Sequence, residues 1–167
     1  MIYSFLQNGD SAVTVQFKNE ISEEVNRHVT GLCNRIEAKH IDGIVELVPT
    51  FASLTVFYDC TIISSKKLKK KVEALINGGE CDVKSTAKVW NIPVCYDDEF
   101  ALDMKNVCSH TALEREEVIK LHTSKPYLIY MLGFLPGFAY LGGMDERLFT
   151  PRLKTPRLEI FEGAVGI

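Results

Sequence analysis

Apolar and polar residues in the first half of the chain follow strand and helix periods in turn. Residues 2–6 and 12–17 are apolar runs on either side of the turn-forming sequence N-G-D, which predicts a hairpin. After Ser22, a residue suited to an N-cap, apolar residues recur at i, i+4, i+7 and i+11. This spacing predicts a helix with one buried face.

The same alternation is repeated once more. Residues 44–48 and 53–58 predict a second strand pair. Ser64-Ser65 is the expected cap of a second amphipathic helix that stops at Gly78-Gly79. The resulting order, ββαββα, is typical of an α+β domain in which helices pack on one sheet. A polar stretch follows, so we place the first domain at residues 1–85.

The second half of the chain, residues 86–167, is predicted as a separate domain with less helix. Its predicted elements are a strand over 87–95, a short helix over 101–107, a helix from a capping box at Thr111 and Glu114 to His122, and a buried strand over 127–132. From residue 133 onward the pattern indicates extended segments and turns.

Composition and charge exclude several classes of protein. The 167 residues are 46% hydrophobic and 25% charged, so the chain can bury a core and is not disordered by composition. Nineteen basic and 22 acidic side chains give a net charge of −3, which offers no field for binding a nucleic acid backbone. The five lysines within 66–71 fall on the polar face of the second predicted helix, so nucleic acid is not an expected partner.

The sequence also bears on location, redox state and metal binding. The N-terminus has no signal-peptide pattern and no apolar stretch approaches the length of a membrane span, so we expect a cytoplasmic protein without membrane contact. The five cysteines are widely spaced and include no C-x-x-C pair, which argues against disulfides and structural zinc. The four histidines show no metal-ligand spacing, so no metal site is predicted.

His122 differs from the other histidines in its position. It lies at the predicted C-terminus of a helix, where the helix dipole favours the imidazolium form. It also lies eleven residues before the glycine-rich segment that begins at Gly133. The residues alone leave two interpretations open, a capping or surface histidine and a functional one.

Residues 133–143 are the most unusual segment of the chain. They include four glycines, one proline and three aromatic residues, a mixture that suits neither a helix nor a regular strand. The segment matches neither the P-loop pattern nor the dinucleotide-binding glycine pattern. A tight structural turn and a ligand-lining loop are both compatible with this composition.

Two arginines follow on a proline-stiffened path, in the triplet T-P-R that occurs at 150–152 and again at 155–157. Proline limits backbone freedom, which reduces the entropy lost when guanidinium groups hold an anion. Arg152 and Arg157 are therefore candidates for carboxylate or phosphate recognition. The alternative is that both arginines form ordinary ion pairs at the surface.

Taken together, these segments resemble a known family. The matching residues are His122, Tyr127, the run G-F-L-P-G-F-A-Y-L-G at 133–142, Thr150-Pro151-Arg152, Pro156-Arg157, G-A-V-G-I at 163–167 and, near the N-terminus, G-D-S-A at 9–12 and V-P-T at 48–50. On these residues the chain resembles the family of 5-oxoprolinase B subunits, also called the allophanate hydrolase subunit 1 or KipI family. The similarity extends over the whole chain, and the glycine-aromatic run is its most specific part.

The resemblance implies a fold and an activity. The fold would be a ββαββα two-layer domain followed by the N-terminal part of a cyclophilin-like β-barrel. The chain would be the B subunit of an ATP-dependent 5-oxoprolinase that opens 5-oxoproline to L-glutamate with the A and C subunits, using ATP and Mg²⁺ shared with the partner. By the same resemblance His122 is the catalytic residue, and substrate and ATP would contact Gly133, Phe134, Pro136, Gly137, Phe138, Tyr140, Arg152 and Arg157.

The resemblance also implies alternatives. Some family members inhibit a sensor histidine kinase, and related segments occur in urea carboxylase and allophanate hydrolase-type systems. Members normally continue beyond the G-A-V-G-I segment, so the resemblance implies a C-terminally shortened barrel that is not active by itself. The open strand edges of such a barrel predict pairing with another subunit or with a second copy of this chain as a homo-oligomer.

Overall fold

A computed structural model of the chain describes residues 2–78 and 88–167. In chain order the elements are β1 (Ser4–Asn8), β2 (Ala12–Gln16), α1 (Glu23–Lys39), β3 (Ile44–Pro49), β4 (Ser53–Tyr58), α2 (Ser65–Asn77), α3 (Met104–Thr111), α4 (Arg115–His122), β5 (Leu128–Leu132), β6 (Ala139–Gly142) and a 3₁₀ turn at Glu146–Leu148. The mixture of helices with antiparallel strands confirms the predicted α+β class.

The chain divides into two compact units. The first unit contains Met1–Thr86 and Ile129–Gly142, and the second contains Ala87–Leu128 and Gly143–Ile167. The predicted boundary near residue 85 lies outside the described residues. Within the described residues, no helix combines the length and the apolar composition needed to span a bilayer.

The first unit is built on a four-stranded antiparallel sheet in the order β1-β2-β4-β3. Opposite pairs such as Val13 with Val56 and Val15 with Leu54 direct their side chains to the same face. Helices α1 and α2 cover that face and contribute Leu32 and other fully buried side chains to the shared core. Alternate apolar positions on the strands and the single apolar stripe on each helix therefore produce one core.

Both helices of the first unit begin at the residues that the sequence predicts. The Ser22 hydroxyl accepts a hydrogen bond from the Val25 amide at 3.4 Å, and the Ser64 hydroxyl accepts one from the Lys67 amide at 3.4 Å. Each cap satisfies an amide that has no partner within the helix. The lysines of α2 are exposed or half-buried, in agreement with the predicted polar face.

A second, shorter antiparallel pair, β5 with β6, also belongs to the first unit. Strand β5 confirms the predicted strand over 127–132, but the prediction that this strand is buried is wrong, because its side chains are exposed or half-buried. The buried Asn26 of α1 donates from Nδ2 to the Tyr130 carbonyl of β5 at 3.0 Å. This bond links the α1 helix to the strand pair that carries the glycine-aromatic run.

The second unit has a small core, in which Val107, Val118, Leu121 and Leu148 are buried. Side chains from α3, α4 and the 3₁₀ turn meet there. The helix predicted over 101–107 begins later, at Met104, and continues to Thr111. It lies further along the chain than predicted because Met104, Val107 and Cys108 reach this core, whereas Leu102 is exposed.

Two further predictions for the second unit are wrong. Thr111 ends α3 and donates its hydroxyl to the Val107 carbonyl at 2.8 Å, so Glu114 is the N-cap of α4 and the expected capping box does not form. Residues 88–95 belong to no strand, because the described residues provide no partner for their backbone. Residue 87, the first of that predicted strand, lies outside the described residues.

The described cysteines are all free thiols. Cys33 is buried, Cys108 is half-buried, and Cys60 and Cys95 are exposed. Cys81 lies outside the described residues.

Candidate functional site

His122 is the last residue of α4 and is packed between two phenol rings of the second unit. The Tyr96 hydroxyl is hydrogen-bonded to Nδ1 of His122. The Tyr127 hydroxyl donates to the His122 backbone carbonyl at 2.9 Å, which satisfies a group left without a helical partner at the end of α4. The ring centroids of Tyr96 and Tyr127 lie 5.9 and 5.7 Å from that of His122.

Burial among these rings lowers the pKa of the His122 imidazole below its ordinary value. This direction is opposite to that expected from the helix dipole, because the cost of desolvating a cation outweighs the attraction of the helix C-terminus. Burial also raises the pKa of Tyr96 and of Tyr127, so both phenols keep their protons at neutral pH. The cluster is therefore composed of three neutral, hydrogen-bonding side chains.

Arg115 holds the Tyr96 segment against the opposite end of α4. Its guanidinium donates from Nη1 to Asp98 Oδ1 at 2.5 Å and from Nη2 to the Tyr96 backbone carbonyl. Arg115 and His122 are seven residues apart, so their side chains lie on one face of the helix, two turns from each other. Residues 96–98 are thus held by the first and last residues of the same helix.

Sequence reasoning missed both Tyr96 and Arg115. Tyr96 is 26 residues from His122 along the chain, and no local pattern joins them. The available signal was the spacing of Arg115 and His122 at i and i+7 on a predicted helix, since that spacing places two polar side chains on one face.

Residues 133–138 of the glycine-aromatic run form the turn between β5 and β6, and the last four residues of the run form β6. The Gly133 amide donates to the Phe138 carbonyl at 3.0 Å, and the Phe138 amide donates to the Leu135 carbonyl at 3.0 Å. Gly137 has φ +82°, a left-handed conformation that favours glycine. Phe134 also has a positive φ, +64°, which is costly for a residue with a side chain. The structural-turn interpretation is therefore correct for the backbone.

The aromatic side chains of the glycine-aromatic run form an exposed row of rings. The centroids of Phe134 and Phe138 are 5.6 Å apart, and those of Phe138 and Tyr140 are 5.2 Å apart, both in edge-on arrangements. Phe134 is 80% exposed, and Pro136 at the tip of the turn is also exposed. A turn alone does not require exposed rings, so the ligand-lining interpretation stays open beside the structural one.

One further glycine of the signature has a packing reason. A Cβ atom added to Gly142 would clash with the Tyr130 ring on the neighbouring strand β5. Glycine at this position lets Tyr130 lie across β6. The backbone of Tyr130 also accepts the hydrogen bond from Asn26, so Gly142 and Asn26 fix the same strand.

The two candidate arginines differ in their surroundings. Arg157 makes a bidentate ion pair with Asp103, the N-cap of α3, at 2.5 and 2.7 Å. Asp103 holds the pKa of Arg157 above its ordinary value, and Arg157 lowers the pKa of Asp103. Arg152 is exposed and has no hydrogen-bond or ion-pair partner within the described part of the chain. Arg152 is thus available to an incoming anion, whereas Arg157 already holds one carboxylate.

The predicted site residues are distributed over both units. Gly133, Phe134, Pro136, Gly137, Phe138 and Tyr140 belong to the first unit, and His122, Arg152 and Arg157 belong to the second. Within the second unit as described, His122 makes no hydrogen bond with either arginine. Each unit therefore presents its own part of the predicted set.

The described residues provide only part of a site for a nucleotide and a metal ion. Among residues 2–78 and 88–167, no three His, Cys, Asp or Glu side chains come together to hold a metal ion. Arg152 suits a phosphate contact because it is exposed and unpaired within the same residues. These residues do not by themselves fit a complete ATP–Mg²⁺ site.

Comparison with known proteins establishes the family. Residues 3–167 match the family model described as carboxyltransferase domain, subdomain C and D. The chain belongs to this family. It is 41% identical to the 5-oxoprolinase B subunit of Bacillus subtilis, over 99% of this chain and 73% of that protein. It is 33% identical to the 5-oxoprolinase B subunit of Haemophilus influenzae, over 95% of this chain and 72% of that protein.

The chain is also similar in fold to a solved structure. The crystal structure of TTHA0988 superposes with a TM-score of 0.75 at 31% sequence identity. The match covers 87% of this chain and 28% of that chain. The chain therefore spans about three quarters of the length of these curated relatives and about a quarter of the length of TTHA0988.

Proposed function

We propose that this chain belongs to the B subunit of an ATP-dependent 5-oxoprolinase, which opens 5-oxoproline to L-glutamate together with the A and C subunits. The observation that carries the proposal is 41% identity to a 5-oxoprolinase B subunit over 99% of the chain. The glycine-aromatic run and His122, which suggested this family from the sequence, lie inside the matched region. The activity is that of the whole assembly in the cytoplasm, not of these residues by themselves.

The proposed chemistry requires stabilisation of charge on an amide oxygen. A lactam carbonyl is a weak electrophile, and attack on it places negative charge on its oxygen. Neutral hydrogen-bond donors held in a dry site stabilise such charge more than water does. His122 is a candidate donor because burial lowers its pKa and keeps the imidazole neutral.

The remaining predicted residues have supporting roles in this proposal. Phe134, Phe138 and Tyr140 exclude water from a labile intermediate once another surface covers their rings. Arg152 contacts the anionic group of the substrate or nucleotide, and Arg157 takes part only if its pairing with Asp103 is exchanged. ATP activates the lactam, and we propose that ATP and Mg²⁺ are bound jointly with the partner.

The fold of the whole protein is part of the same proposal. Residues 1–85 would form a two-layer ββαββα domain, and residues 86–167 would form the N-terminal part of a cyclophilin-like β-barrel. The support is the family membership and the superposition on TTHA0988. Association with another subunit or with a second copy would then complete the barrel edges.

The test is ATP-dependent release of glutamate from 5-oxoproline by the full-length protein co-purified with its A and C subunits. We expect activity in the assembly, and we expect His122→Ala to lower kcat by roughly 10²–10⁴-fold, as the loss of an acid–base or donor group does. His110→Ala is the matched control, since His110 is an exposed histidine of α3.

Four outcomes would contradict this proposal. An assembly that releases no glutamate would exclude the reaction, and full activity of His122→Ala would exclude the role of that residue. Inhibition of a sensor histidine kinase by the same protein, without glutamate release, would support the regulatory alternative. Carboxylation of urea or hydrolysis of allophanate would support the remaining alternative, a urea carboxylase or allophanate hydrolase-type component.

A further inference from the structure

We propose that Tyr96 is a positioning residue that fixes the tautomer of His122, so that His122 presents an Nε2–H donor at the site and does not act there as a base. The inference rests on the proposed function in one respect, because it takes His122 to act on the substrate. The position of the proton on the ring does not depend on that function, because it follows from contacts within the second unit.

Only one nitrogen of the His122 ring has a hydrogen-bond partner among the described residues. Nδ1 is hydrogen-bonded to the Tyr96 hydroxyl, and no group among the described residues is hydrogen-bonded to Nε2. Tyr127 does not bond either ring nitrogen, because its hydroxyl is used by the His122 backbone carbonyl. One phenol therefore determines which nitrogen carries the proton.

The direction of the Tyr96–His122 bond follows from the acidity of the two groups. A neutral imidazole has one N–H donor and one acceptor nitrogen. A phenol ionises at a pKa of about 10, whereas a neutral imidazole N–H is a much weaker acid. The stronger acid is the better donor, so the Tyr96 hydroxyl donates and Nδ1 accepts. The proton of the imidazole is then on Nε2.

Tyr96 is held in place by contacts that do not involve His122. Arg115 binds its backbone carbonyl and also binds the Asp98 carboxylate two residues later at 2.5 Å. Asp98 holds the pKa of Arg115 above its ordinary value, and Arg115 lowers the pKa of Asp98, so both charges persist across neutral pH. The residue that orients His122 is thus fixed by a charged pair at the other end of the same helix.

The chemical consequence concerns the direction of proton transfer. An imidazole whose Nδ1 is occupied and whose Nε2 carries the proton can donate a hydrogen bond to a carbonyl oxygen as negative charge develops there. It cannot accept a proton at Nε2 from an attacking water. A catalytic histidine can transfer a proton or donate a hydrogen bond to an oxyanion, and this geometry points to donation.

The decisive experiment is nitrogen NMR of the full-length protein labelled with ¹⁵N-histidine, at a pH where His122 is neutral. The ¹⁵N shifts of the two ring nitrogens distinguish a protonated from an unprotonated nitrogen. We expect wild-type His122 to be the Nε2–H tautomer. A wild-type ring protonated at Nδ1 would overturn the proposal without any variant being made.

Two matched variants then test the role of Tyr96. Tyr96→Phe removes the hydroxyl that bonds Nδ1, and we expect a mixture of both tautomers. Tyr127→Phe removes the other phenolic hydroxyl of the cluster, which bonds a backbone carbonyl, and we expect the tautomer to be unchanged. An unaltered Nε2–H tautomer in a folded Tyr96→Phe protein would overturn the proposal.

Kinetics of the assembled complex separate this inference from the proposed function. Tyr96→Phe should lower kcat about tenfold or more with little change in KM, because an oriented donor acts mainly in the transition state. Tyr3→Phe, next to β1 in the first unit, should leave both constants unchanged. An assembly that hydrolyses no 5-oxoproline would exclude the proposed reaction, while the NMR result would still decide the tautomer.

Discussion

At the scale of single residues, burial determines which of two opposing electrostatic effects sets the pKa of His122. The end of a helix attracts a cation with an energy that solvent screens, whereas removing an imidazolium from water costs more as the ring is enclosed. The Tyr96 and Tyr127 rings enclose His122, and its pKa is lowered. The position of a histidine at a helix end therefore does not predict its charge once other side chains cover it.

The lowered pKa of His122 predicts a pH-dependent stability. Between the ordinary histidine pKa of about 6.5 and the lower folded value, the unfolded chain binds more protons than the folded one. Unfolding free energy should therefore decrease as pH falls through this window. Urea unfolding at pH 7.5, 6.5 and 5.5 measures the slope. His122→Gln should have a smaller slope, and equal slopes for both proteins would contradict the assignment.

The strained turn allows a paired prediction at Phe134 and Gly137. Phe134→Gly relieves a positive φ but loses the ring contact with Phe138, so we expect an unfolding free energy within about 1 kcal/mol of wild type. Gly137→Ala places a side chain at φ +82° and should lower it by about 1–2 kcal/mol. Urea denaturation of both variants checks these values.

The two variants should separate stability from function. If the exposed Phe134 ring serves a ligand or partner, Phe134→Gly lowers the activity of the assembled complex while the fold is kept. A Phe134→Gly protein that is both as stable and as active as wild type would show that the ring has no role in the proposed site. Loss of more than about 2 kcal/mol would instead show that Phe134 is a structural residue.

At the scale of elements, most helices and strands were predictable from local patterns, whereas one capping signal and one strand-like segment were misleading. Ser22 and Ser64 cap their helices because the cap and its amide are three residues apart. Thr111 had the same signal, but its hydroxyl bonds a carbonyl of the preceding helix turn instead. Residues 88–95 have strand-like composition, yet a strand exists only where another backbone pairs with it.

Asn26 carries the contact between α1 and β5, and its replacement should loosen that strand pair. Asn26→Ala leaves the Tyr130 carbonyl without its donor at a buried site, which costs about 1–3 kcal/mol. We expect lower stability and faster amide hydrogen exchange in β5 and β6. Asn34→Ala, at an exposed position of the same helix, is the control and should change neither.

Amide hydrogen exchange of the Asn26→Ala variant can also contradict this prediction. Unchanged exchange in β5 and β6 after Asn26→Ala would show that other contacts hold the pair. Faster exchange throughout the α1 helix would show that the variant destabilises the helix itself, and the Asn34→Ala control would then identify a general effect of replacing asparagine in α1.

At the scale of the whole molecule, local patterns determine the α+β class but not which segments join one unit. The strand pair β5 and β6 belongs with the sheet formed by residues from the start of the chain. The bond between Asn26 and Tyr130 spans 104 residues, and neither residue carries a pattern that indicates the other. For the same reason, the candidate loop was found from its composition, whereas Tyr96 was not found at all.

The core of the first unit predicts that residues 1–86 fold by themselves. The buried cluster that joins the sheet to α1 and α2, with the residues packed against it, extends only from Tyr3 to Ile76. We therefore expect the 1–86 fragment to unfold cooperatively in urea.

Leu54→Ala should lower the stability of this fragment by about 2–5 kcal/mol because Leu54 is fully buried. Leu6→Ala, at a position 47% exposed, should change it by less than about 1 kcal/mol. A fragment that unfolds without cooperativity, or equal effects of the two leucine variants, would mean that residues 129–142 are required to complete the core and not merely attached to it.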